Sequence, residues 1–339
     1  MEDAATGGGN GTRSSRARPR DRLTARFRGK ASETKLPRGI EVIDPAFEKL
    51  LKKGASLRKV AGGLKFAEGT VWWGKKSSLI WSDIPGNRLM QWSERAGVQV
   101  FREPSGNSNG NTVDAAGNLL TCETSGRCLT LTDPRGNVRT LVDRHEGKRL
   151  NSPNDVVVKS DGTIWFTDPD YGILLPHPDL GHGKPREVAG NYVYRYEPGS
   201  GRLSVVADDF QKPNGLAFSP DEKRLYIGDS GYTHDTKKGN HHVRVFSVVG
   251  GRSLRGGKVF AVVTPHVPDG MRVDRHENLF VTAGDGVQVF NHAGKLIGKI
   301  RTPEVAANCA FGGRGRSTLF IAATSSVWSI EMNTRGATT

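Results

Sequence analysis

Short apolar segments recur along the chain, and each is followed by a turn and a second segment of β-strand character. The second segment contains an aliphatic residue directly before another bulky apolar residue. The second members of these pairs are 39, 45, 61, 54 and 40 residues apart, a spacing typical of propeller blades. The repeat therefore predicts six blades around a central channel. The six pairs are Ile80-Trp81, Leu119-Leu120, Ile164-Trp165, Leu225-Tyr226, Leu279-Phe280 and Leu319-Phe320.

The connections between the apolar segments have the composition of hairpin turns. Asp, Gly, Asn or Pro recur in residues 114–118, 160–162 and 220–222, and only residues 45–53 have a helical pattern. We therefore expect an all-β fold, a six-bladed β-propeller. Residues 39–43 are expected to close the ring as a strand beside residues 326–332, because closure removes exposed sheet edges. Two packed sheets or two smaller domains are the alternative, which the even spacing disfavours.

A second set of residues has the same period as the apolar pairs. Counting back 11 to 13 residues from the second member of each pair leads every time to a side chain with an oxygen atom. Each of these residues would lie where the innermost strand of its blade begins, so all six would surround one point on the axis. These ring residues are Glu68, Asn109, Asn154, Asn214, Asp269 and Asn308.

Carboxylate and amide oxygens without His or Cys form a ligand set for hard cations. The alternative is that Asn and Asp simply cap turns at strand starts. Six residues in phase, two of them acidic, favour one divalent cation in the channel. Ca²⁺ is the first choice, and Mg²⁺, Mn²⁺ and Zn²⁺ are the other candidates. No organic cofactor is expected, because no phosphate-binding glycine loop precedes a helix.

Residues 1–36 differ in composition from the rest of the chain. They are rich in Gly, Ser and Arg, contain almost no apolar residue, and carry nine Lys or Arg against four Asp or Glu. Such a segment cannot bury enough apolar surface to order itself. We therefore expect a disordered basic tail over residues 1–36 and one propeller domain over residues 37–339.

The bulk composition disfavours several other classes of protein. The net charge is +14, and the positive charges outside the tail are scattered, which is more typical of a solvated surface than of a nucleic-acid site. No apolar run reaches the length of a membrane-spanning helix. Three cysteines without a C-x-x-C pair argue against a disulfide framework. We expect a cytoplasmic monomer or homodimer with neither nucleic-acid nor membrane partners.

Several longer motifs coincide with the ring residues, and through them the chain resembles the gluconolactonase branch of the regucalcin (senescence marker protein) family from about residue 40 to residue 337. The resemblance implies a six-bladed propeller that hydrolyses sugar lactones with one catalytic divalent cation. The motifs are Glu68-Gly-Thr-Val-Trp72, Ser82-Asp83-Ile84-Pro85, Asn109-Gly-Asn-Thr, Arg149-Leu-Asn-Ser-Pro-Asn154-Asp-Val, Phe166-Thr-Asp-Pro169, Pro213-Asn-Gly-Leu-Ala-Phe-Ser-Pro-Asp221 and Pro268-Asp-Gly-Met-Arg272.

The same resemblance implies roles for individual residues. Glu68, Asn214 and Asp269 match the metal ligands of the family, and Asn154 matches a position that contacts metal or substrate. Asp269 also matches the residue proposed as the acid–base. The chain departs from the branch at Thr124, where members typically have His, and this departure concerns substrate preference.

We therefore expect a lactone, such as gluconolactone, to be hydrolysed to the hydroxy acid, with the cation as Lewis acid and Asp269 as general base. A propeller that serves as a binding module with calcium as a structural plug is the main alternative, and a strictosidine-synthase or paraoxonase type is another. Two acids at the axis disfavour the binding module, and the absence of paired cysteines and of a signal peptide disfavours the other type. Polar residues at or near the channel mouth are candidates for binding the substrate: Asn109, Glu123, Arg127, Arg149 and Tyr171.

Overall fold

The computed structural model describes residues 39–174 and 185–337, so the predicted tail over residues 1–36 lies outside the described residues. Within them, six antiparallel sheets follow one another along the chain, and the first strands of neighbouring sheets contact each other around a common axis. The predicted six-bladed β-propeller is confirmed. We number the sheets as blades 1 to 6 in chain order.

In each blade the first strand lies nearest the axis. The strands that follow it pair outward in the order in which they occur in the chain. A two-stranded hairpin, Arg144–His145 with Lys148–Arg149, lies between blades 2 and 3. The strands are, for blade 1, Ala67–Trp73, Ser78–Asp83, Arg88–Ser93 and Gly97–Arg102; for blade 2, Ser108–Val113, Leu119–Glu123, Cys128–Thr132 and Val138–Val142; for blade 3, Val156–Val158, Ile164–Asp168, Tyr192–Glu197 and Arg202–Ala207; for blade 4, Pro213–Phe218, Arg224–Asp229, His242–Val249 and Ser253–Val262; for blade 5, Met271–Val273, Leu279–Ala283, Gly286–Phe290 and Leu296–Ile300; and for blade 6, Ala306–Gly312, Thr318–Ala323 and Ser326–Glu331.

The ring closes with a strand other than the predicted one. Arg58–Gly62 pairs with the last strand of blade 6 and becomes its fourth strand. Ile40–Val42, which lies in the segment predicted to close the ring, pairs instead with Leu296–Ile300 as a fifth strand of blade 5, so that prediction is wrong. The physical reason is Phe47, which follows this strand and is fully buried in the core between blades 5 and 6.

The helices of the described residues are single turns. The helical segment predicted over residues 45–53 is reduced to Pro45–Glu48, whose N-cap Asp44 accepts a hydrogen bond of 2.9 Å from the Ala46 amide. In the described part of the chain, no helix has the length and apolar character needed to cross a membrane. The remaining short turns are Gly74–Lys76, Tyr171–Leu174, Gly231–Thr233 and Arg314–Arg316.

The apolar pairs identified in the sequence all lie on the second strand of their blades, but the phase in blade 1 is off by one residue. Register makes Ile80, not Trp81, equivalent to Leu120 of blade 2. Trp81 packs back against Phe320 of blade 6, whereas Ile80 packs forward against Leu119. Both faces of this strand are buried, so apolar character does not distinguish the two faces.

Close approach of the innermost strands requires glycine beside the axis. A Cβ at Gly69 would lie 1.8 Å from the carbonyl oxygen of Asn109, and one at Gly215 would lie 2.2 Å from that of Asp269. Any side chain at these positions would force neighbouring blades apart. The ring residues that precede glycine are therefore held close together by backbone sterics. The four glycines that follow ring residues are Gly69, Gly110, Gly215 and Gly270.

The three cysteines Cys122, Cys128 and Cys309 are buried and unpaired. Stability comes instead from apolar clusters between adjacent blades. Aromatic contacts reinforce these clusters: Trp165 of blade 3 meets Phe218 of blade 4 edge to face, with ring centroids 5.5 Å apart.

Candidate functional site

A cavity of about 450 Å³ opens at the end of the axis where the innermost strands begin. Five of the six ring residues line it, so the residues selected by their common period are brought to one place by the fold. They include all four predicted cation ligands. The five are Glu68, Asn109, Asn154, Asn214 and Asp269.

The carboxyl groups of Glu68 and Asp269 face each other in this cavity. Glu68 is only 5% exposed, and its Oε2 accepts a hydrogen bond of 2.6 Å from the amide of Gly69. Burial, together with the neighbouring charge of Asp269, holds the pKa of Glu68 well above its usual range. Burial likewise raises the pKa of Asp269 to about 7, against hydrogen bonds from Asn214 and Glu68. The two acids therefore share a hydrogen bond.

Asn308, the sixth ring residue, has a different position. Its Oδ1 accepts a 3.2 Å hydrogen bond from the hydroxyl of Thr70, and its amide group donates to the carboxylate of Glu68. Its oxygen is thus already engaged and does not face the cavity. Asn308 orients a carboxylate at the site and does not add another oxygen to it.

The donor set at this point has the chemistry of a hard-cation site. Two carboxylates face each other, and neither has an ion-pair partner in the described part of the chain. The amide side chains of Asn154 and Asn214, from blades 3 and 4, line the same cavity. Among the described residues no group of three or more His, Cys, Asp or Glu side chains is arranged to hold a metal. Such a set is suited to Ca²⁺.

A third buried acid lies beside the ring, and the sequence analysis did not select it. Asp155 stands directly after Asn154, where four other blades have glycine, and it is 1% exposed. One carboxylate oxygen lies 3.7 Å from Nη1 of Arg272, and Nη2 of Arg272 donates to the carbonyl of Thr70 at 3.3 Å. The negative charge of Asp155 contributes to the raised pKa values of both ring acids. The break in the glycine pattern was the signal that could have identified it.

The five predicted substrate-binding residues divide into two groups. Asn109 and Tyr171 line the cavity. Glu123, Arg127 and Arg149 do not line it, and their role in binding the substrate stays a prediction. Glu123 forms an ion pair of 2.8 Å with an arginine of blade 1, Arg127 donates to a backbone carbonyl at 2.6 Å, and Arg149 donates to another at 2.8 Å. These long polar side chains satisfy buried groups between blades instead of reaching the channel.

Loops between blades supply the rest of the cavity wall. The apolar lining residues include Phe66, Ile84 and Val267. Thr124 also lines the cavity, and its methyl group packs so closely on Gly172 that a Cβ there would lie 2.3 Å away. The small threonine thus allows the turn at Tyr171 to lie against the cavity. The remaining lining residues are Lys65, Pro85, Ser152 and Thr233.

Comparison with known proteins gives a consistent result. The sequence-family model described as the SMP-30/gluconolactonase/LRE-like region matches residues 66–325 of this chain. A gluconolactonase from Zymomonas mobilis is 31% identical over 322 residues, which cover 88% of this chain and 87% of the relative. A pentonolactonase from Haloferax volcanii is 26% identical over 78% of this chain and 83% of its own.

A solved structure gives the same relationship. The structure of a gluconolactonase from Xanthomonas campestris superposes with a TM-score of 0.80 at 36% identity, covering 89% of this chain and 96% of that one. The matched residues 66–325 include all six ring residues and span from blade 1 into blade 6. The chain therefore belongs to the SMP-30/gluconolactonase/LRE-like family.

Proposed function

We propose that this protein hydrolyses a lactone, most simply a sugar lactone such as gluconolactone, to the corresponding hydroxy acid with the help of one divalent cation. The observation that carries the proposal is the facing pair of Glu68 and Asp269 in a cavity with Asn154 and Asn214. The relatives named gluconolactonase, pentonolactonase and lactonohydrolase support the reaction class.

Glu68, Asn154, Asn214 and Asp269 would hold the cation. When bound, a divalent cation there would act as a Lewis acid toward the lactone carbonyl and favour ionised carboxylates. Asn308 and Gly69 keep the Glu68 carboxylate in place through their N–H groups. Asn214 does the same for Asp269. The ligand positions are therefore pre-organised by neutral hydrogen-bond donors.

Asp269 is the group suited to move the proton. Water adds to the lactone carbonyl carbon, and the carboxylate of Asp269 accepts the proton that this water loses. The bond between the carbonyl carbon and the ring oxygen then breaks, and Asp269 returns the proton to the departing oxygen. The product contains one new carboxyl group and one new hydroxyl group. General-base catalysis of this kind contributes about 10²–10⁴-fold to the rate.

Asn109 and Tyr171 are the polar wall residues suited to position the substrate. Burial raises the pKa of the Tyr171 hydroxyl, which therefore stays protonated and able to donate a hydrogen bond. Its oxygen lies 3.4 Å from the hydroxyl of Thr233, another lining residue. Phe66 and Ile84, which also line the cavity, give an apolar surface for the carbon face of a sugar ring.

The test is hydrolysis by chelated protein after separate addition of Ca²⁺, Mg²⁺, Mn²⁺ and Zn²⁺. Glucono-δ-lactone, a pentonolactone and unsubstituted δ-valerolactone serve as substrates. We expect activity to vanish on chelation and to return with Ca²⁺, and sugar lactones to be preferred over valerolactone.

Glu68→Ala is the control, since it should neither retain the cation nor hydrolyse any of the three lactones. Tight cation retention with no hydrolysis of any lactone would overturn the proposal in favour of the binding module. Full activity after complete chelation would overturn the role of the cation.

A further inference from the structure

A second cavity of about 440 Å³ lies at the opposite end of the propeller axis. All six innermost strands begin at the candidate active site and run away from it, and this cavity lies at their far ends. All six blades contribute to its wall, and none of its lining residues borders the first cavity. The two cavities are therefore separate spaces on one axis.

The side walls of the second cavity are apolar. The far end of each innermost strand contributes an aliphatic or aromatic residue to the lining. Such walls suit the carbon skeleton of a small molecule. They include Val71, Val113, Val158, Phe218 and Phe311.

The charged groups around this cavity are predominantly basic. The one acid in the lining is Asp114, which accepts hydrogen bonds of 2.8 and 2.7 Å from Asn118 in its own turn. The basic lining residues are Lys75, Lys159, Arg272 and Arg316. Lys159 is neutralised, because it lies 3.1 Å from both Asp161 and Glu222. The excess positive charge therefore comes from Lys75 at the rim and from the two arginines.

Arg316 carries the positive charge that is least compensated. Its side chain donates to the carbonyl of Ala337 at 2.7 Å, and no carboxylate of the described residues pairs with it. Burial and the like charge of Arg272 lower its pKa. Its backbone has φ 56°, in the left-handed region that non-glycine residues rarely adopt. A half-buried, uncompensated guanidinium in strained backbone is the kind of feature that occurs at ligand sites.

Arg272 contributes the second guanidinium. Its nearest acid is Asp155, with which it forms a long ion pair of 3.7 Å, and its N–H groups otherwise donate to two backbone carbonyls. This long separation leaves the charge of Arg272 only partly balanced. An oxyanion between the two guanidiniums would relieve their mutual repulsion.

We propose that this far cavity is a second ligand site, which binds a small organic anion through its carboxylate or other oxyanion group. Arg316 and Arg272 hold the oxyanion, since a guanidinium matches two oxygens of one group with paired N–H donors. The apolar part of the anion lies against the valine and phenylalanine walls. This site is independent of the hydrolytic reaction proposed for the first cavity.

The test is calorimetric titration of the full chain with three probes: benzoate, neutral benzamide and inorganic phosphate, at constant chloride. We expect benzoate to bind, benzamide not to bind, and phosphate to bind more weakly because it lacks an apolar part. Arg316→Gln should weaken benzoate binding about tenfold or more, the usual consequence of losing a charged hydrogen-bond donor.

Arg314→Gln is the matched control, because Arg314 lies in the same turn, is exposed and does not line the cavity. It removes the same charge and should leave benzoate binding unchanged. If Arg316→Gln fails to fold, Arg316→Lys and a soak with 4-bromobenzoate replace it; the bromine signal should lie in this cavity. Absence of binding by both anions, equal weakening in the two glutamine variants, or bromine elsewhere would overturn the proposal.

Discussion

The hydroxyl of Thr70 donates a 3.2 Å hydrogen bond to Oδ1 of Asn308, linking blade 1 to blade 6 directly beside the candidate active site. This bond determines which end of the Asn308 amide faces Glu68. With the oxygen engaged, the amide N–H₂ group is directed to the carboxylate. A neutral side chain thus orients an acid that is expected to bind a cation.

Thr70→Val is expected to weaken Ca²⁺ binding several-fold, because the Asn308 amide can then rotate and present its oxygen to Glu68. Losing one buried hydrogen bond should also lower the free energy of unfolding by about 1 kcal/mol. Calorimetric titration with Ca²⁺ and urea denaturation measure the two effects. Thr70→Ser retains the hydroxyl and should behave like the natural protein. Unchanged Ca²⁺ affinity in the valine variant would show that another contact orients the amide.

Asp269→Asn separates the two roles expected of Asp269. Asparagine keeps an oxygen donor of nearly the same shape but cannot accept a proton near neutral pH. With the cation in saturating excess, kcat for the lactone should fall by about 10²-fold or more. Steady-state kinetics at increasing Ca²⁺ measure this. Recovery of kcat to the natural value at saturation would mean that Asp269 is a ligand only.

Asp168 should make the fold less stable as the pH rises. Burial raises its pKa to about 7, so the folded protein binds this proton more tightly than the unfolded chain does. The stabilisation is full below the unfolded pKa and is lost as the pH rises through 7. Between pH 5 and 8 the contribution to unfolding free energy should fall by about 3 kcal/mol. Urea denaturation across this range should show a smaller decrease for Asp168→Asn; equal slopes would contradict the prediction.

Gly215, one of the four glycines beside the axis, should tolerate no side chain. A Cβ at Gly215 would lie 2.2 Å from the carbonyl oxygen of Asp269, and backbone cannot move aside cheaply. Gly215→Ala should therefore lower the free energy of unfolding by about 3 kcal/mol. Gly199→Ala is the control, because no atom lies within 4 Å of its Cβ position, and it should be neutral or slightly stabilising. Thermal or urea unfolding of both variants measures the two free energies of unfolding. Similar values for Gly215→Ala and Gly199→Ala would refute close packing at the axis.

Much of this architecture could be predicted from periodicity. A propeller repeats one structural unit, so apolar pairs and oxygen-bearing residues such as Asn154 and Asn214 recur in phase with its blades. Of the six ring residues selected by this common period alone, five line one cavity in the structure. It could not distinguish Ile80 from Trp81, because both faces of a blade are buried and both residues are apolar.

Contacts between distant segments depended on the tertiary structure. The strand that closes the ring is Arg58–Gly62, because burial of Phe47 holds the preceding strand on blade 5. Whether a long polar side chain such as Arg149 reaches the channel or satisfies a backbone carbonyl depends on which unpaired group lies nearest in space. Periodicity describes what each blade repeats, whereas the pairing of Asp155 with Arg272 and of Thr70 with Asn308 arises where different blades meet. Those contacts join residues far apart in the chain, and no local pattern encodes them.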